Sequence, residues 1–156
     1  MSKSDTKWWK RVKSMYMGQY SHSIDAKGRI IIPSRFREQL GEKFNIIKGY
    51  DACLYAMDQE TYQARFAEIC ALPDSLPDAR AIKRYFFQGS MEAEYDKQGR
   101  VLISQELRNH AGLSKDVILV GAGDKVEIWS AENYGEAVPD NIEEIAKRLN
   151  DLGYKI

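Results

Sequence analysis

Tyr20, His22 and Ile24 alternate with Gln19, Ser21 and Ser23, the period of two that marks a half-buried strand. Asp25-Ala26-Lys27-Gly28 follows as a turn: the aspartate accepts from nearby backbone N–H groups, and glycine tolerates positive φ. Arg29-Ile30-Ile31-Ile32 is a second strand of β-branched residues, ended by Pro33 because proline cannot donate to a sheet ladder. Ser34 is the expected N-cap of a short helix to Leu40, with Gly41 as its stop. Phe44, Ile46 and Ile47 predict another strand, Gly49-Tyr50-Asp51 a turn, and Cys53 to Ala56 a last strand. Tyr62, Phe66, Ile69 and Cys70 then fall at helical spacing, predicting a helix over 60–70. Residues 72–77, with Pro73 and Pro77, are the clearest boundary. A second helix is predicted over 78–87, with Arg80, Lys83 and Arg84 on its polar side and Tyr85, Phe86 and Phe87 as core.

The pattern then recurs. Residues 25–41 read DAKGRIIIPSRFREQLG and residues 96–112 read DKQGRVLISQELRNHAG. Asp25/Asp96, Gly28/Gly99, Arg29/Arg100, Ile32/Ile103, Arg37/Arg108 and Gly41/Gly112 match without a gap, 71 positions apart, and Gly18/Gly89 keeps the same offset. A repeat decides the fold before any local reading does: two copies of one small unit fold against each other. Met91, Ala93 and Tyr95 precede the second turn, Arg100 to Ile103 is its strand, and Ser104 caps a helix to Ala111. Val117–Val120 and Val126–Trp129 are strands. A last helix is expected over 140–152, capped by Asp140 with Glu143 completing a capping box, and carrying Ile142, Ile145, Leu149 and Leu152 as an apolar stripe.

Composition narrows the function classes. The chain has 156 residues, 44% of them hydrophobic, enough for a packed core, and zero formal net charge. Charge is unevenly placed: residues 1–14 carry Lys3, Lys7, Lys10, Arg11 and Lys13 against Asp5, and the last 26 residues are net acidic. Cys53 and Cys70 are the only cysteines and His22 and His110 stand apart, so neither zinc spacing nor a disulfide framework is expected. No apolar run approaches a membrane span, and no export leader follows the basic start. Gly121-Ala122-Gly123 lacks the strand-to-helix setting of a dinucleotide site, and neither a phosphate loop nor a nucleophile elbow occurs. No enzyme, cofactor, metal or small-molecule substrate is expected.

What remains is the doubled arginine pattern. Asp25 and Asp96 brace their turns or pair with a neighbouring arginine. Arg29 and Arg100 begin strands and can leave the rim of a small sheet; Arg37 and Arg108 lie eight residues further on, within the short helices. Guanidinium forks gathered on one face suit phosphates and the guanine edge in the major groove. A solvated or locally paired arginine is the plainer alternative.

The segment at 25–41 resembles the AbrB/SpoVT box, and two such boxes in one chain, with the flanks MYMGQYSHSIDAKGR and DARAIKRYFFQGSMEAEYDKQGRV and the strand ending KVEIWS, resemble the MraZ family over about residues 15–150. The resemblance implies a β-rich α+β fold: a swapped-hairpin, AbrB-like double-psi-type barrel formed in cis by the two repeats, with flanking helices. Residues 1–16 would be a basic, flexible N-terminal extension, 17–71 the first repeat with its helix, 72–88 linker and helix, 89–137 the second repeat, and 138–156 a C-terminal helix. The resemblance further implies a cytoplasmic, nucleoid-associated regulator of the division and cell-wall gene cluster. It would bind double-stranded DNA at short promoter direct repeats as a ring-shaped homo-oligomer. By position, Arg29, Arg100, Arg37 and Arg108 match the family's arginines; Lys27 and Lys97 join the expected DNA-contacting set from different places in their turns. The second box departs in having Ser104 where the first has Pro33, so the strand-to-helix corners should differ. Rival readings are an antitoxin-like module and a ring-forming protein scaffold that does not touch DNA.

Overall fold

The computed structural model describes residues 15–156. The expected basic extension lies outside them except for Met15 and Tyr16, and Tyr16 is no part of a flexible arm. Its ring is buried, its backbone bridges Gly123, and its hydroxyl donates to Asp58 Oδ2 at 2.9 Å. A buried aromatic ring contributes a large apolar area, so Tyr16 is part of the folded unit.

Among the described residues eight strands form in the order β1 (Gln19–Ser23), β2 (Arg29–Ile31), β3 (Lys43–Lys48), β4 (Leu54–Asp58), β5 (Met91–Glu94), β6 (Arg100–Leu102), β7 (Asp116–Gly121) and β8 (Val126–Ser130). Six make one antiparallel sheet, β1-β7-β8-β4-β3-β5, and β2 pairs with β6 in a two-stranded ribbon. Two isolated bridges, Ile24–Ile30 and Tyr95–Val101, tie the ribbon to the two edge strands. The strands therefore follow one another in a circuit that closes through a single bridge on each side of the ribbon.

Nearly every long-range pairing crosses between repeats. The first strand of each repeat pairs with the third strand of the other: β1 with β7 and β5 with β3. β2 pairs with β6 so that Ile30 faces Val101, its own equivalent, which places a pseudo-two-fold axis between them. β4 meets β8 in the same way. Only the hairpins β3–β4 and β7–β8 pair within a repeat. This is the α+β, cis-formed swapped-hairpin architecture expected above.

Alternation along the strands builds two cores. Inside the circuit sit Ile30, Phe44, Ile46, Leu54, Ala56, Ala93, Val101, Val117, Leu119, Val126 and Ile128, plugged by Phe36 and Leu40 from α1 (Ser34–Leu40) and Leu107 and Ala111 from α4 (Gln105–Ala111). On the outer face Ile47, Tyr55, Met57 and Trp129 pack with Phe66 and Ile69 of α2 (Gln59–Cys70) and Phe86 of α3 (Pro77–Gln88). Asp58 caps α2 by accepting from Thr61 N, and proline opens α3. Of the aromatic end of α3, Phe86 is buried, Tyr85 is half-buried with its hydroxyl donating to the Gly49 carbonyl, and Phe87 stays exposed.

Several local expectations needed correction. Ser34 does not cap α1; Pro33 holds the N-cap position without a side-chain bond, whereas Ser104 at the equivalent place accepts from Leu107 N at 3.3 Å. The corner differs because proline has no side-chain acceptor. A helix absent from the expectations, α5 (Ala131–Ala137), starts on Ser130, whose hydroxyl accepts from Asn133 N at 3.0 Å. The final helix, α6 (Ile142–Asp151), is capped by Asn141 without a side-chain bond, not by Asp140, and none of its residues is buried.

Phe36 is fully buried, edge-on to Tyr16 and Tyr20 with ring centroids 6.1 and 5.1 Å away. Phe36→Ala is expected to cost about 3–5 kcal/mol in urea denaturation. Ser130→Ala, which removes only a cap, should cost about 1 kcal/mol in the same assay.

Candidate nucleic-acid interface

The two Asp-x-x-Gly turns stand at the two ends of the β2/β6 ribbon. In each, one carboxylate oxygen collects the turn's backbone donors. Asp25 Oδ1 accepts from Lys27 N at 3.0 Å and Arg29 N at 2.9 Å; Asp96 Oδ1 accepts from Gln98 N and Arg100 N, both at 2.9 Å. The other oxygen takes the arginine: Arg29 Nε donates to Asp25 Oδ2 and Arg100 Nε to Asp96 Oδ2, each at 2.8 Å. The aspartates thus do both things expected of them, bracing the turn and pairing with the arginine.

Arg29 faces Leu102 and Arg100 faces Ile31 across the ribbon. Ile30 and Val101 point into the core, so strand alternation sends both arginines outward on the same side. Each arginine side chain is 27% exposed, and Arg100 Nη1 also lies 3.9 Å from Asp25 Oδ2. Nε is held while the terminal amino groups make no hydrogen bond among the described residues, which leaves the outer edge of each fork for a ligand. Lys27 and Lys97 are exposed in the turns themselves. Lys27 is matched by Gln98 and Lys97 by Ala26, so the two ends of the ribbon are unequal. Four cations against two carboxylates leave the face positive in a chain of zero net charge.

The helix arginines are placed differently. Arg37 Nη2 donates to the Ile32 carbonyl at 3.3 Å and its guanidinium lies 5.3 Å over the Tyr95 ring. Arg108 Nε donates to the Ile103 carbonyl at 3.0 Å. Each reaches across the pseudo-axis to the other repeat's turn. A Cβ on Gly99 would fall 2.5 Å from Arg37 Nη2, and one on Gly28 would fall 2.6 Å from Arg108 Cζ. Gly28 (φ +86°) and Gly99 (φ +78°) are required for left-handed backbone, and a side chain at either place would also have to push the guanidinium aside. Arg37 and Arg108 are half-buried and lie against the turns that carry Arg100 and Arg29. Burial pushes the Tyr95 hydroxyl up to about 12, against the pull of Arg37, so the ring under that guanidinium stays neutral.

Ile31 and Leu102, unremarkable within their apolar sequence runs, share the outward face with Arg29 and Arg100. Strand parity was the available signal: residues two apart from an outward arginine point outward too. Among the described residues no group of three or more His, Cys, Asp or Glu could hold a metal ion, and no helix is long and apolar enough to cross a membrane.

The backbone N–H of Arg29, followed by the Arg29 side chain, holds the Asp25 carboxyl below the usual carboxylate range; Arg100 does the same for Asp96. A lowered folded value means the stabilisation is complete above the ordinary pKa of about 4 and is lost as pH falls through the lowered values. The melting temperature should fall as pH drops below about 4. The Asp25→Asn/Asp96→Asn double variant should show a flatter profile over that acid range, read by circular dichroism melts.

Comparison with known proteins identifies the family. The family model described as "MraZ protein, putative antitoxin-like" matches the chain twice, over residues 15–85 and 86–150. The transcriptional regulator MraZ of Carboxydothermus hydrogenoformans is 51% identical over 141 residues, covering 88% of this chain and 99% of the relative. That of Thermoanaerobacter sp. strain X514 is 50% identical over 141 residues with the same coverage. That of Acetivibrio thermocellus is 48% identical over 142 residues, covering 89% and 99%. One Asp-x-x-Gly-Arg turn falls in each matched segment, and near-complete coverage of relatives that share one name leaves a single assignment: the chain belongs to the MraZ family.

Proposed function

We propose that this chain is a sequence-specific, double-stranded-DNA-binding regulator of transcription that performs no catalysis. The observation that carries the reading is the pair of Nε-anchored guanidinium groups, Arg29 and Arg100, standing outward on one face of the inter-repeat ribbon with Lys27 and Lys97 at its ends. A two-stranded ribbon fits the major groove, where an arginine fork meets guanine O6 and N7 or a flanking phosphate. Its relatives' printed name, transcriptional regulator, points the same way. Arg37 and Arg108 serve the face from behind, each bonded to the strand end of its own repeat and packed against the turn glycine of the other.

The finer reading follows from the sequence resemblance: control of the division and cell-wall gene cluster through short promoter direct repeats, bound by a ring-shaped homo-oligomer in the cytoplasm at the nucleoid. Self-association has a candidate surface in α6, an amphipathic helix that buries none of its residues and leaves Ile142 and the following Leu152 exposed. Several modest faces on one assembly would gain affinity through effective concentration, without a large interface on any protomer. An antitoxin-like role, in the words of the matching family description, keeps the same DNA face and adds a protein partner.

Arg29→Ala and Arg100→Ala should each weaken binding to the chain's own upstream region at least tenfold in a mobility-shift titration, with a circular dichroism melt close to wild type. Arg37→Ala should lower the melting temperature as well. Unchanged DNA affinity in a folded Arg29→Ala/Arg100→Ala double variant contradicts the reading. With about four phosphate contacts per engaged protomer, log affinity should fall against log salt with a slope of roughly −3.6. A salt-independent association favours the scaffold reading instead.

A further inference from the structure

The outward face of the β2/β6 ribbon is not purely cationic. Ile31 and Leu102 occupy equivalent places in the two repeats, two residues after Arg29 and Arg100, and they are 45% and 55% exposed. The register sets them in a checkerboard, with Leu102 directly across from Arg29 and Ile31 directly across from Arg100. A polar residue would satisfy strand geometry equally well at both places. Exposing a large aliphatic side chain between cations, twice and at symmetric positions, calls for an apolar counterpart in whatever covers the face.

Duplex DNA presents one apolar group on its major-groove edge, the C5 methyl of thymine. Cross-strand neighbours in an antiparallel pair stand about 4.5–5.5 Å apart at Cβ, and successive base pairs about 3.4 Å apart. An aliphatic side chain beside an arginine therefore lies within one to two base steps of the position that arginine touches.

We propose that Ile31 and Leu102 are specificity residues that pack on thymine methyl groups in the major groove, one or two base steps from the positions engaged by Arg100 and Arg29. The inference rests on the DNA-binding reading of the same face. It makes each protomer a reader of mixed sequence: the guanidinium forks supply affinity and choose guanine or phosphate, and the aliphatic pair chooses thymine over cytosine or uracil. Because Ile31 and Leu102 differ in shape, and Lys27 and Lys97 differ in position, the two halves of the ribbon read unequal half-sites despite the pseudo-axis.

The test alters the DNA before it alters the protein. The full chain is used to select binders from a duplex pool with a randomised core. Each thymine of a selected duplex is then replaced singly by deoxyuridine, which removes only the methyl group. Wild type should lose about fourfold in affinity at one or two positions, the worth of one buried methyl group. Ile31→Ala and Leu102→Ala, both at exposed sites, should each bind the thymine and uracil duplexes equally at one of those positions. Uracil substitution that never changes wild-type affinity overturns the proposal. So do variants that lose affinity equally on both duplexes, which would make the aliphatics supports for the arginine stems, and variants that change assembly mass without changing discrimination, which would make them a contact between copies. Selection that enriches no duplex at all removes the underlying DNA reading instead, a result separable from the others.

Discussion

Pairing of β2 with β6 about Ile30 and Val101 is the constraint from which the rest of the molecule follows. Each of these strands is three residues long and contributes one inward side chain, too little to stand alone. Each finds its strand partner in the other repeat, with a single bridge back to its own, as β1 and β5 find theirs in β7 and β3. Neither repeat can therefore bury its own apolar face, and the two halves fold as one unit about a single interior. The same exchange creates the candidate site, because the two arginine-bearing strands become neighbours only when the repeats interlock.

The electrostatics of that site trade charge for order. Asp25 and Asp96 cancel part of the positive field, yet each fixes one guanidinium by its Nε and the preceding turn by its backbone donors. An arginine side chain carries about 2 kcal/mol of rotamer entropy, and a fork held in place before it meets a ligand surrenders less of it on binding. Arg37 and Arg108 extend the ordering one layer back, lying against glycines that no other residue could replace without displacing them. A zero net charge is compatible with binding a polyanion because the field that matters is local.

The repeat, the turns and most helices were legible in the sequence because they rest on local chemistry: alternation at 19–24, Gly28 and Gly99 in their turns, and apolar spacing at 62–70. The exchange of strands was legible only through the family resemblance, since nothing local tells β1 that β7 is its partner. The different placements of Arg29 and Arg37 were not legible, because Arg29 pairs with Asp25 in its own turn whereas Arg37 lies against Gly99 of the other repeat, a contact that only the interlocked fold creates. Gly135 inside α5 concealed a helix that Ser130 starts, and the short run to Ala137 offered no apolar stripe to reveal it. Asp140 looked like a cap because Glu143 completes the sequence signature of a capping box; the chain instead enters the helix one residue later, at Asn141. Tyr16 was grouped with a charged leader by composition, although its buried ring belongs to the barrel interior.

Hydrogen–deuterium exchange of the full chain, with and without saturating duplex from its own upstream region, tests the central claim most directly. One face built jointly by both repeats predicts that slowed exchange appears together in residues 25–31 and 96–102. Protection of one turn without the other, or confined to α2, α3 and α6, would contradict it.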